Sequence, residues 1–213
     1  MSEKKERVLT KAELRRKAEF EELKQKLEKE GYRQKDLTIG VLWANVMALV
    51  LGLPFVAVAA AVFLWIHPSY GELFSGGSVW EPLLLLAVFF LFIVVHEGIH
   101  GLTWSFFAPN HWKSIEFGVI IKNLTPYCCC KEPMKTGAYI LGCLMPTIIL
   151  GGIPVLYSWC SGSFWWLAIG CLMIIGGGGD MEIVRRLLCY RSEKQEKICL
   201  DHPYECGVVV FER

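Results

Sequence analysis

Four apolar runs dominate the chain, spanning about Ile39 to Ile66, Pro82 to Ala108, Thr136 to Cys160 and Phe164 to Leu188. Each exceeds the roughly 20 residues that a helix needs to cross the hydrocarbon of a bilayer. The pattern therefore predicts four transmembrane helices. Ahead of them, residues 1–36 mix acidic and basic positions around a narrow apolar stripe of Phe20, Leu23 and Leu27. Thr10 followed by Glu13 is a capping box and Gly31 supplies a stop, so this segment reads as a charged cytosolic helix with a linker. Its stripe suits a membrane face, a partner helix or, more simply, the helix's own domain.

Between the second and third runs the period changes. Ile115, Phe117, Val119 and Ile121 alternate with Glu116, Gly118, Ile120 and Lys122. A period of two predicts a strand. Asn123 to Pro126 then turns the chain, and Tyr127 to Cys130 returns as a second strand. An amphipathic connector lying in the membrane interface fits the same alternation. The expected fold is an α-helical integral membrane protein with about four transmembrane helices and a small β-hairpin between spans two and three. Its parts are the helix of residues 1–36, a membrane-embedded domain at 37–190 and a cytosolic tail at 191–213.

Composition agrees with the membrane class, since hydrophobic residues make up 54% of the 213-residue chain. The net charge of +1 conceals an uneven distribution. Twelve of the 22 Lys and Arg fall in the first 36 residues together with nine of the 21 acids. So balanced a mixture is a solvated helix and not a nucleic-acid arm. The segment His67 to Glu81 and the connection Cys160 to Ser163 carry no Lys or Arg, whereas Lys113, Lys122, Lys131, Lys135, Arg185, Arg186 and Arg191 flank the other ends of the spans. The basic segments all fall on one side if both termini are cytosolic. The first apolar run is too long for a signal peptide and lacks a small-residue cleavage site. Nine cysteines suit a reduced, cytoplasm-facing setting, with Cys143, Cys160, Cys171 and Cys189 read as small buried hydrophobes. Cys199, His202 and Cys206 offer three candidate ligands without a fourth and read as part of the tail.

The chemistry lies at His96-Glu97-Gly98-Ile99-His100, inside an uncharged run that begins at Leu83. On a helix, residues i and i+4 share a face, so His96 and His100 can grip one metal ion while Glu97 stands beside them as a base. Ionisable groups at such a position are costly in lipid and point to function. Catalytic zinc takes three protein ligands and leaves one position open. Of three aspartates, Asp180 alone lies within an apolar run, after four glycines at 176–179. At 1.5 Å per residue, His96 lies roughly 21 Å into span two and Asp180 roughly 24 Å into span four, which runs the same way. The two are level, and His67 is on the opposite side. Glu182 is the weaker candidate ligand. Pro146 and Pro154 are expected to bend span three.

His96 to Gly101, Pro126-Tyr127-Cys128, Glu132-Pro133, Pro146 and Gly179-Asp180 resemble a bacterial membrane family of putative zincin peptidases, formerly a domain of unknown function. More remotely the chain is similar to site-2 proteases, whose two histidines and distal aspartate bind zinc within the membrane. Those enzymes carry Asn-Pro shortly before that aspartate, where this chain has four glycines. The resemblance implies peptide-bond hydrolysis in a bacterial cell membrane, with Zn2+ held by His96, His100 and Asp180 and with Glu97 as the catalytic base. The partner it implies is a protein or peptide with a transmembrane or membrane-adjacent segment. An open edge of the hairpin could add an extended peptide as a strand, which makes Ile115, Phe117 and Val119, with Pro146, the expected substrate-binding residues. A zinc-binding scaffold without turnover and a metal transporter are the competing readings, and spans one and three offer a transport path little beyond Asn45 and Thr147.

The charge bias yields the first prediction. Tags on either terminus should be cleaved by protease in inside-out vesicles and protected in right-side-out ones. Protection of either tag in inside-out vesicles would refute the four-span orientation.

Overall fold

The computed structural model of the protein describes residues 9–69, 80–120 and 125–213. Ile121, Lys122 and the beginning of the expected turn at 123–126 lie outside them. Helix α1 (Lys11–Lys29) opens on the expected capping box: the Thr10 hydroxyl accepts from the Glu13 N–H, and the Glu13 carboxylate accepts from the Thr10 N–H at 2.8 Å. It is followed by a reversal at Gly31, whose φ of +90° is open to glycine at little steric cost.

Among the described residues three helices are long and apolar enough to cross a membrane: α2 (Val41–Ile66), α3 (Trp80–Ser105) and the run Thr136–Ser161. The last comprises α4 (Thr136–Pro146), a π-helical stretch (Thr147–Gly152) and α5 (Ile153–Ser161). Proline removes one intrahelical donor and crowds the preceding turn. Here a π-helical stretch follows Pro146, and the segment continues as one apolar run of 26 residues. The expected fourth span consists of two helices, α6 (Phe164–Gly176) and α7 (Gly178–Cys189), which meet at 46° and make a fourth crossing only if taken together. Close packing at the break explains two of its glycines. A Cβ on Gly177 would fall 1.9 Å from Thr147 Oγ1, and one on Gly178 would fall 2.3 Å from the Ala48 Cα. Hydropathy stays high through such a break and does not mark it.

The predicted hairpin is present as β2 (Ile115–Ile120) paired antiparallel with β3 (Thr125–Cys130). A second sheet was not expected. It orders four antiparallel strands as β1-β6-β5-β4: β1 is Arg33–Asp36, β4 is Met134–Lys135, β5 is Lys197–Asp201 and β6 is Val208–Glu212. The segment read as a tail is therefore folded. Its Val208-Val209-Val210-Phe211 run is buried on both faces, each residue being at most 1% exposed. Alternate residues point oppositely along a strand. Val209 and Phe211 meet Phe20, Leu27 and Tyr32, so the α1 stripe docks on its own domain. Val208 and Val210 join a core with Tyr139, Cys143, Ile183 and Leu187 from α4 and α7. The sheet is thus a layer between α1 and the apolar helices. Of the cysteines expected in the core, Cys143 is buried, but Cys160 and Cys189 are exposed.

Phe211 is wholly buried where the sheet meets α1. Phe211→Ala should lower unfolding stability by about 3–5 kcal/mol. Chemical denaturation of the purified protein in detergent checks it, and a midpoint equal to wild type would remove β6 from the core.

Candidate metal centre

Helix α3 supplies His96 and His100 one turn apart, both buried. Helix α7 supplies Asp180 from its first turn, immediately after the break. His96 Nε2 lies 3.1 Å from Asp180 Oδ2, His100 Nε2 lies 3.5 Å from the same oxygen, and the two Nε2 atoms are 3.1 Å apart. The structure thus brings together the three residues that the depth argument had placed level with one another. The ring of His100 is fixed from behind. Its Nδ1–H donates to the Gly142 carbonyl at 2.9 Å, and that bond assigns the proton to Nδ1 and leaves the Nε2 lone pair facing the centre. The Trp104 indole stacks on the same imidazole at 5.0 Å and 18°, and Tyr139 stacks on Trp104 at 5.4 Å. Gly142 is required here, because a Cβ would fall 1.9 Å from Trp104 Nε1.

Two imidazole nitrogens and a carboxylate oxygen converge within 4.8 Å of one another. Acceptors crowded in this way repel unless a proton or cation lies among them. Two nitrogens and one oxygen are the donor set of a hydrolytic zinc site with an open position, so the residues fit the ion. The other candidates are elsewhere. Glu182, considered as a ligand, is fully buried but committed to Arg185, Arg186 and the Trp43 indole N–H. His67 Nε2–H donates to the Trp159 carbonyl in a different part of the helical layer. Cys199 is buried in the core while Cys206 is exposed, and among the described residues they form no three-ligand group with His202.

The hairpin lies over Glu97. Lys131 N–H bonds the Ser114 carbonyl at 2.9 Å, which fixes the phase of the ladder. On that phase the N–H groups of Cys128 and Cys130 point outward from β3, away from β2. The Cys128 N–H is directed at the Glu97 carboxylate, and the Cys130 N–H donates to Asp201 Oδ2 at 2.7 Å. Pro126, the remaining outward position, has no N–H. The edge beside the metal centre is therefore β3, and of its outward donors the Cys130 N–H is engaged by Asp201. Ile115 and Phe117, expected to touch substrate, lie against Gly101 of α3, where a Cβ would fall 2.4 Å from the Phe117 ring. Val119 is 51% exposed on the same strand. Pro146 is fully buried. On the opposite face of the hairpin, Arg15 and Arg16 of α1 bond Glu116 at 2.6 and 3.2 Å, and Arg16 also donates to the Tyr127 hydroxyl.

Asp201 of β5 escaped the sequence reading, because a lone aspartate beside cysteines in a presumed tail carries no signal. It accepts from the Tyr139 hydroxyl as well as from Cys130 N–H, so it joins the sheet, α4 and the hairpin. Burial also pushes the thiols of Cys128, Cys129 and Cys130 up, Cys130 to about 12, so the three stay protonated at neutral pH.

A family model described as "Putative zincin peptidase" matches residues 89–194. The match takes in His96, Glu97, His100, Asp180 and the hairpin, and leaves out α1, α2, β5 and β6. No curated protein and no solved structure matches the chain.

Burial raises the Asp201 carboxyl to about 6, against about 3.9 for the unfolded residue. The folded protein therefore binds the extra proton between about pH 6 and pH 4, and this group makes stability rise on acidification through that window. Going from pH 7 to 4.5 should add up to about 2 kcal/mol through Asp201, and Asp201→Asn should lack that increment. Equal stability differences in the two proteins would contradict it.

Proposed function

We propose that the chain is a zinc metallopeptidase of the bacterial cell membrane that cleaves peptide bonds in or next to the bilayer, in the manner of site-2 proteases. One observation carries the reading. His96, His100 and Asp180 converge on a single point, and Glu97 adjoins them, within helices apolar enough to span a membrane. Such groups are expensive to keep there unless they are used.

His96, His100 and Asp180 would hold the ion, which when bound supplies a Lewis acid that polarises a carbonyl and acidifies a water. The Gly142 carbonyl keeps His100 in the tautomer that offers Nε2 to the centre, and Trp104 stacks on its ring. Glu97 receives the proton of the attacking water on a carboxylate oxygen and passes it to the departing amine. The Cys128 N–H of β3 is directed at that carboxylate. A helix conceals its carbonyls in its own hydrogen bonds, so the substrate has to be extended at the cleaved bond. A peptide lying along β3 would exchange with Glu97 for the Cys128 N–H. Substrates are thus transmembrane or membrane-adjacent segments that unwind readily.

The test combines metal content with turnover. Wild type should carry about one zinc per chain. His96→Ala and His100→Ala should each lose it, and Asp180→Asn should lose it under mild chelation. Glu97→Gln should retain zinc while losing at least 100-fold in cleavage of a membrane-anchored reporter peptide. Full zinc content in both histidine variants would refute the site, and undiminished cleavage by Glu97→Gln would refute the chemistry. If wild type binds zinc and cleaves nothing, the protein is a zinc-binding scaffold.

A further inference from the structure

Away from the metal centre, α2, α4 and α7 leave a crevice of about 450 Å³. Leu51 and Phe55 line it from α2, Leu144 and Ile148 from the third span, and Met181 and Leu188 from α7. Its one charged lining group is Arg185. Thr147 also lines it, with its hydroxyl against Gly177 at the helix break. We propose that this crevice is a phospholipid site, which takes one acyl chain of an anionic phospholipid and holds the headgroup phosphate at Arg185. The inference rests on the apolar spans and is independent of the catalytic reading.

Size decides what can enter. Lining residues along α6 and α7 run from Ile174 to Leu188, a path of roughly 20 Å at 1.5 Å per residue. Spread over that length, which bends by 46° at the helix break, the volume is well below that of a helix about 10 Å across. A substrate helix does not fit; a single hydrocarbon chain does.

Charge decides which lipid. Arg185 donates through Nε and Nη2 to Glu182 at 2.6 and 2.9 Å, and Arg186 donates to the same carboxylate at 2.9 Å. Two guanidinium groups against one carboxylate leave the cluster with one net positive charge. Arg185 has five N–H donors, and its side chain is 43% exposed, so it can bond a phosphate without leaving Glu182. An acyl chain gains little on leaving one hydrocarbon environment for another. Retention therefore depends on the headgroup, and basic groups between spans on the cytoplasmic side suit an anionic one.

Native mass spectrometry of the full-length protein in mild detergent tests this, with phosphatidylglycerol, phosphatidylethanolamine and palmitate as probes. Wild type should keep one phosphatidylglycerol per chain, in preference to the other two. Gly152 lines the crevice, and a Cβ there meets nothing within 4 Å. Gly152→Leu should accordingly project a side chain into the crevice and reduce retention at least 10-fold. Arg185→Gln should leave the crevice open but remove the preference for phosphatidylglycerol over phosphatidylethanolamine. The proposal fails if wild type keeps no phosphatidylglycerol or if Gly152→Leu keeps it as wild type does. It fails equally if palmitate binds as well as the phospholipid, or if Arg185→Gln leaves the preference intact.

Discussion

Three acceptor atoms meeting at one point inside an apolar layer are the constraint from which the rest of the structure follows. In water such a cluster would disperse or be solvated. Among hydrocarbon it needs a cation or proton at its centre and rigid walls around it. The walls are specific. His100 is held by the Gly142 carbonyl and by Trp104, Trp104 donates to the Tyr139 carbonyl at 3.2 Å, and Gly142 has no side chain that would push Trp104 away. An acceptor for the far N–H of a metal-binding imidazole fixes its tautomer and orientation. The stacked rings then carry that order outward to the four-stranded sheet.

The hairpin depends on parts of the chain that are distant in sequence. From one side α3 receives Ile115 and Phe117 at Gly101; from the other, Arg15 and Arg16 of α1 hold Glu116 and Tyr127. At the edge, Asp201 of β5 takes the Cys130 N–H. Neither α1 nor β5 lies within the matched segment 89–194, yet both fix the strand that adjoins Glu97. The α1 and β5 contacts each cross at least 70 residues of sequence, so the strand's position is set by tertiary packing and not by its own propensity. The ends of the chain thereby become part of the wall of the centre.

Much of the site was legible because its signals are strong and local. Two histidines four apart put themselves on one helical face, and a charged residue in an apolar run is conspicuous whatever the fold. The alternation at 115–119 marked a strand for the same reason. The second sheet was harder to read. Its strands β1 and β4 contribute four and two residues, too few for periodicity to register, and they are ordered by partners more than 60 residues away. The run Val208 to Phe211 did carry a signal, since four consecutive apolar residues suit a strand buried on both faces. Its position after the last span made it look like a tail. The break between α6 and α7 was invisible to hydropathy, because glycine is apolar enough to sustain the average.

That break nevertheless explains how a carboxylate can be kept in an apolar layer. In one straight span Asp180 would sit in mid-helix, where each backbone N–H already serves a carbonyl four residues back. In the structure α7 begins at Gly178, so Asp180 falls in a first turn, where backbone donors lack intrahelical partners and the helix dipole favours negative charge. The glycines that permit the break are also those that let Ala48 and Thr147 approach it closely. One local departure from a continuous helix therefore does two things. It packs three spans tightly around the bend, and it places an anion at the end of a dipole facing the two histidines.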